Sequence, residues 1–252
     1  MKTLRLFVNV LAFLTILPLD KDERFTADDF GRFASMFPPV GLVLGLLQFL
    51  ACFALAATGV PAPVAAIALV TLHVIVTRGF HLDGLADTMD ALLSHRTRED
   101  KLRIMKDPHQ GTFGVLAILL DVLLKTVLVG TLIQNRSPML PAALILFPVM
   151  GRWSATVAAV MCAYVRREGG LSLPMVDNAG RREFVYGAVF SVVAAAAFGL
   201  PCLAAAAFTL VWSLGLVFVW NRTLGGITGD LLGASVELTE IAALLFLVMA
   251  AS

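Results

Sequence analysis

Residues 60–77, "VPAPVAAIALVTLHVIVT", carry no formal charge, yet they run straight into residues 78–93, "RGFHLDGLADTMDALL", with three aspartates in eight positions. An uncharged apolar run of about 18 residues or more is a candidate for crossing a membrane as a helix. Similar windows, almost free of charge, recur at roughly 34–57, 113–133, 139–163, 184–200 and 201–220. Irregular backbone cannot face lipid, because its N–H and C=O groups would lack partners, so each window is expected to be helical. Across the 252 residues, apolar types make up 59% and charged types 15%, and the mean hydropathy is +0.87. Soluble domains run nearer half apolar and a quarter charged. The expected fold is therefore all-α: a polytopic integral membrane protein with about six to eight transmembrane or membrane-embedded helices. Residues 1–252 read as a single membrane-embedded domain, with no soluble domain beside the spans and no nucleic-acid partner.

The first twenty residues, "MKTLRLFVNVLAFLTILPLD", have a basic start and a short apolar stretch, 6–19, but no small-residue cleavage pattern before "DKDER". They read as a retained interfacial or re-entrant helix rather than a signal peptide. Cys52, Cys162 and Cys202 all sit in apolar windows, which suits neither a disulfide framework nor a thiolate metal site. The alanine runs at 194–197 and 204–207 read as small-residue packing between membrane helices.

Taking the six windows as crossings sorts the connections onto two sides. One side receives 20–33, 78–112, 166–183 and 221–240; the other receives 58–60, 134–138 and 199–201. Of the 19 Lys and Arg, 14 fall in the first set and only Arg136 in the second. Basic residues in short loops mark the cytoplasmic face, and every acidic cluster then falls on that same side. The tail at 241–252 is too short for a further span.

Asp83, Asp87 and Asp90 are spaced i, i+4, i+7 and so point within an arc of about 60° on one helix face. Like charges this close repel, and no Lys or Arg intervenes between Arg78 and Arg96. A hard divalent cation such as Mg2+ would relieve the conflict while keeping water and substrate phosphates as further ligands. An acidic helix N-terminus accounts for Asp83 but not for Asp90, nearly two turns in. The next stretch, "SHRTREDKLRIMKDPHQGTFGV" (94–115), supplies Arg96, Arg98, Lys101, Arg103 and Lys106, then Asp107. Cations beside a metal site suit a diphosphate, though a basic juxtamembrane segment also anchors lipid headgroups. In "NRTLGGITGDLLGASVELTE" (221–240), Gly225, Gly226 and Gly229 would let backbone N–H groups approach an oxyanion, and Asp230, Glu237 and Glu240 add carboxylates on roughly one face. Inside the windows, Asp121 and Lys125 can neutralise each other at i, i+4. Arg152 has no local acid and needs a polar cavity or another helix's carboxylate. His73 reads as a packing histidine, and His81 lies on a different helix face from the aspartates.

"GFHLDGLADTMDALL", "REDKLRIMKDPHQGTFGV" and "LGGITGDLLGASVELTE" resemble the signature stretches of the cobalamin synthase (adenosylcobinamide-GDP ribazoletransferase) family. "FLTILPL", "PPVGLVLG" and "YVRREGGL" extend the resemblance over nearly the whole chain. The resemblance implies a transferase that joins adenosylcobinamide-GDP to α-ribazole or its 5′-phosphate and releases GMP, with Mg2+, late in cobalamin nucleotide-loop assembly. It implies metal binding by Asp83, Asp87 and Asp90, with Asp107, Asp230 and Glu237 as further candidates for completing the site. Substrate would meet Arg96, Arg98, Arg103, Lys106, Arg152 and the glycines at 225, 226 and 229. Membrane lipid surrounds such a protein; association with itself or with other cobalamin-assembly enzymes is left open. The chain departs from the family's pattern at Ile16, where an Arg is usual, and in "MDALL", which lacks a Gly after the last Asp. Two other readings are a CDP-alcohol phosphotransferase-like enzyme, whose longer string of aspartates is missing, and a cation-coupled transporter, whose paired interrupted helices are not seen.

Overall fold

The structure, a computed structural model, describes residues 2–19, 26–166, 170 and 172–251. Of the stretches singled out above, "DKDER" and residues 167–169 and 171 of "YVRREGGL" lie outside them. The described residues form α1 (Lys2–Leu14), α2 (Ala27–Ala56), α3 (Ala62–Val76), α4 (Phe80–Leu92), α5 (Arg98–Ile104), α6 (Thr112–Gln134), α7 (Leu140–Met161), α8 (Leu173–Asn178), α9 (Arg181–Ala196), α10 (Leu200–Leu224) and α11 (Gly229–Ala250). Their only extended pairing is an isolated parallel bridge between Tyr164 and Ile227. Five helices (α2, α6, α7, α10 and α11) are each long and apolar enough to cross a membrane, and α3 with α4 makes a sixth candidate. The expected all-helical polytopic membrane protein is what the chain forms.

Three boundaries differ from the sequence reading. The window at 60–77 does not continue straight: Arg78 and Gly79 both take left-handed backbone angles (φ 57° and 61°), and α4 leaves α3 at 89°. Consecutive left-handed residues break a right-handed helix, and Gly79 takes that conformation without a Cβ penalty. The side chain of Arg78 secures the bend by donating to the Phe13 carbonyl at the end of α1, 3.1 Å away. Second, α9 has only 16 residues, shorter than the ~20 of a straight crossing. It buries Glu183, Gly187, Ser191 and Ala195, one residue every four, along a single stripe. Third, the expected polar loop at 221–240 is mostly helix. Only 225–228 lie between α10 and α11, so the final helix is a full 22-residue span rather than a short tail. Its acids obscured it because their partners sit on other helices.

The centre of the bundle is α7, which is buried from Ala142 through Ala159 and packs against α2, α11, α9 and α10. Its closest neighbour approaches through Gly41 and Gly45, a small-xxx-small pair that brings main chains together in lipid. A Cβ at Gly41 would lie 2.5 Å from the Pro148 carbonyl oxygen, and one at Gly45 would overlap the Ile145 carbonyl. Toward the outside, α6 exposes Leu116, Leu119, Leu120, Leu123, Leu124 and Val127, while its opposite face buries Gly114, Asp121, Lys125 and Leu128. Lipid and protein thus claim opposite faces of one helix. Ala195, Ala205 and Ala206 are buried on the packed pair α9 and α10, as the alanine runs suggested. Cys52, Cys162 and Cys202 are free and buried.

Candidate active site

The aspartate helix is placed by a close crossing of α4 and α11. Gly84 lies against the main chain of Asp230, where a Cβ would come within 2.7 Å of the carbonyl oxygen and 3.0 Å of Cα. One turn on, Gly233 faces the His81 carbonyl at 3.1 Å in the same sense. With no side chain between the two backbones, Asp83 and Asp87 on α4 come up beside Asp230 on α11. The charges of Asp83, Asp230 and Asp90 all bear on Asp87 and repel its own. Asp83 is exposed and Asp87, Asp90 and Asp230 are half-buried, so the group opens to solvent at one end of the bundle.

Each member has a distinct set of partners. Gln110 donates to Asp87 Oδ1 at 3.1 Å. Asp230 Oδ2 lies 2.9 Å from Arg166 Nη2 and accepts from the Thr228 hydroxyl at 3.4 Å. Asp90 faces elsewhere: its two oxygens accept the Gly111 N–H at 2.7 Å and the Gly114 N–H at 2.9 Å. Those are free donors of the first turn of α6, so Asp90 caps that helix across space, as an N-cap side chain does from within. Asp107 is exposed and accepts from the His109 amide (3.0 Å) and ring (2.7 Å), which hold its carboxyl below the usual range. It turns back on its own loop.

The basic segment divides. Arg98 donates to the Leu224 carbonyl at 2.7 Å, and a Cβ at Gly225 would lie 2.8 Å from its guanidinium. Arg98 therefore closes the C-terminus of α10, where a cation suits the helix dipole, and Gly225 takes the left-handed cap position (φ 74°). Arg103 pairs with Asp100 on the surface at 2.7 Å. Arg96 and Lys106 are exposed. Gly226 admits no side chain, because the Ala163 carbonyl stands where its Cβ would be. Two hydrogen bonds pin this turn to residues 163–165: Ile227 N–H to Ala163 O (2.8 Å) and Val165 N–H to Ile227 O (3.0 Å). Thr228 then caps α11 by accepting from Leu231 N at 3.2 Å, with Gly229 opening the helix.

Glu237 and Arg152 are not brought into this group. Lys125 Nζ contacts Glu237, Glu240 (2.8 Å) and Asp121 (3.1 Å), and Arg152 pairs with Glu240. His73 Nε2 reaches Glu240 Oε1 at 3.3 Å, and His81 Nδ1 lies 3.4 Å from Arg152. Five helices share this buried network, which supplies the partners that single segments lack. Arg152, expected to meet substrate, is fully buried and paired with another helix's carboxylate. Sequence reading missed Arg166, Gln110 and the capping role of Asp90; "YVRREGGL" contained the first, but only the Tyr164–Ile227 bridge shows what it faces.

Among the described residues, no three His, Cys, Asp or Glu side chains already stand as a set that could hold a metal ion. The donor chemistry nevertheless fits a hard divalent cation. Asp83, Asp87 and Asp230 are mutually repelling carboxylates, and such ions take carboxylate oxygens while filling the remaining positions with water and phosphate oxygens. Fold and site together define a helical integral membrane protein with a carboxylate group at one end of its bundle. The family model for cobalamin-5-phosphate synthase matches residues 6–248, and the chain belongs to that family. It is 37% identical over 248 residues to the adenosylcobinamide-GDP ribazoletransferase of Desulfitobacterium hafniense, covering 97% of each chain. With the proteins of that name from Geotalea daltonii and Syntrophobacter fumaroxidans it shares 37% over 246 residues (97% of each chain) and 38% over 245 residues (93% of this chain, 94% of the other). No solved structure matches.

Proposed function

We propose that this chain is an adenosylcobinamide-GDP ribazoletransferase: a hydroxyl of α-ribazole or its 5′-phosphate attacks the cobinamide-side phosphorus of adenosylcobinamide-GDP, the phosphorus–oxygen bond to GMP breaks, and GMP leaves. The observation that carries this reading is the α4–α11 crossing. It gathers three carboxylates from two of the stretches by which the chain resembles the family. Asp83, Asp87 and Asp230 would hold Mg2+, which when bound supplies charge neutralisation on the diphosphate. Displacement at phosphorus asks the protein mainly for positioning and electrostatics. Gln110 orients Asp87, and Arg166 pairs with Asp230. Arg96 and Lys106, exposed in the connection 78–112 that also carries Asp83 and Asp87, attract the anionic substrate. The site opens to the cytoplasm of a bacterial inner membrane, a reading supported by the 14-to-one distribution of loop Lys and Arg.

The test is GMP release from adenosylcobinamide-GDP and α-ribazole by the purified protein in lipid nanodiscs. Turnover should require Mg2+ or Mn2+ and stop in excess EDTA. Asp83→Asn and Asp87→Asn should lose it while unfolding at or above the wild-type temperature without metal, since each removes like-charge repulsion. Full turnover in a demetallated preparation, or in both variants at saturating Mg2+, would rule the metal reading out.

A further inference from the structure

We propose that Arg166 is a ligand for the phosphates of the anionic substrate, held by Asp230 until a divalent cation takes that carboxylate. The inference rests on the reading of the carboxylate group given above and adds a cation to it. Arg166 follows directly on the pinned residues 163–165, so its Cα is fixed against the turn that opens α11. From there Nη2 reaches Asp230 Oδ2 at 2.9 Å, with the two side chains 15% and 23% exposed. Its Nε is buried and has no hydrogen-bond partner among the described residues. A guanidinium is a planar fork made to grip a phosphate or carboxylate with two parallel donors. Here Nη2 is held to Asp230 as an ion pair, and neither Nη2 nor Nε makes a hydrogen bond among the described residues, an unfavourable arrangement for a buried group unless something binds there.

Electrostatics gives the exchange its direction. In the free protein Arg166 offsets part of the repulsion among Asp83, Asp87 and Asp230. Asp83, Asp87 and Asp230 would hold a divalent cation that offsets the same repulsion with twice the charge, and Asp230 would then be shared less with Arg166. The guanidinium then stands beside a cation-filled site, where a diphosphate brings the anionic oxygens it lacks. The arrangement assigns opposite effects to one residue: Arg166 should weaken metal binding by the free protein and strengthen diphosphate binding by the metal-loaded protein.

Those opposite signs make the test. The full chain in nanodiscs would be titrated with Mn2+ alone, followed by its electron paramagnetic resonance signal, and then with labelled GDP at saturating Mn2+. Arg166→Gln should bind Mn2+ more tightly than wild type by several-fold. It should bind GDP more weakly by about tenfold, the loss expected for one charge-assisted pair. Arg166→Lys keeps the charge and loses the fork, so its Mn2+ affinity should match wild type while its GDP affinity still falls. Thermal unfolding of both variants checks that they are folded, and if the Gln variant is not, the Lys variant carries the test alone. If Arg166→Gln weakens Mn2+ binding as well, Arg166 only props Asp230 in place and the proposal is overturned. Unchanged GDP affinity in both variants overturns it too. Wild-type protein that binds no Mn2+ and releases GMP in EDTA would instead sink the reading of the carboxylate group itself.

Discussion

Replacing Lys125 by Met should be among the most damaging single changes available to this fold. Lys125 Nζ touches three carboxylates: Asp121 at 3.1 Å, Glu240 at 2.8 Å and Glu237 in closer contact. At about 3 Å and an effective dielectric near 20, each contact represents roughly 5 kcal/mol of gross attraction. Most of that offsets the cost of taking the charges out of water, so the pairs' net contribution is far smaller. Deleting the cation alone removes the attraction and leaves the acids buried, which costs about 3–5 kcal/mol. The network would then retain Arg152 as its fixed cation against Asp121, Glu237 and Glu240. Adding Glu237→Gln to Lys125→Met removes one stranded charge and should restore about half of the loss, a favourable coupling of roughly 2 kcal/mol. The assay is equilibrium unfolding in mixed micelles for wild type, each single variant and the pair. A loss below about 1 kcal/mol for Lys125→Met, or strict additivity in the cycle, would refute the account of the network as one mutually dependent unit.

Asp121→Asn should be much milder than Lys125→Met, because Lys125 keeps Glu237 and Glu240; parallel melting of the two variants checks this. Asp90→Ala should cost about 1 kcal/mol, the usual value of a lost helix cap, with slower turnover; Asp90→Asn should recover part of the stability, and hydrogen exchange at Gly111 and Gly114 should report the fraying directly. Gly84→Val should wedge α4 from the Asp230 backbone and lower stability by about 1–3 kcal/mol, with GMP release lost. A cysteine placed at Ser137 should label from outside sealed cells and one at Ser94 should not; the reverse pattern would invert the topology.

How far the sequence was readable depended on where each residue's partner lay. The spans followed from apolar length alone, since a lipid-crossing helix satisfies its backbone within itself. Asp83 and Asp87 were legible because their repulsion is local, at i, i+4. Asp90 shares their helix face, yet its partners Gly111 and Gly114 are more than twenty residues on, and spacing could not separate a cap from a ligand. The partners of Glu237 and Arg152 were hidden for the same reason. Each was read as available for chemistry because its counter-ion belongs to another helix, and no periodicity within one segment records that. The bend at Arg78–Gly79 was hidden because a non-glycine residue in the left-handed region has no strong local signature. α11 was missed because three acids in its first twelve residues outweighed its length.

The contact between Gly84 and the Asp230 main chain has a consequence for attempts to remodel the site. Elsewhere in a protein, the gap between two functional groups can be adjusted by trading one side chain for another. Here the two acidic helices meet backbone to backbone, so their separation is set by the thickness of the polypeptide itself. The polypeptide acts as the gauge. A variant that needs its carboxylates differently spaced must change the acids themselves, Asp to Glu, because the helices that carry them have no slack left to give.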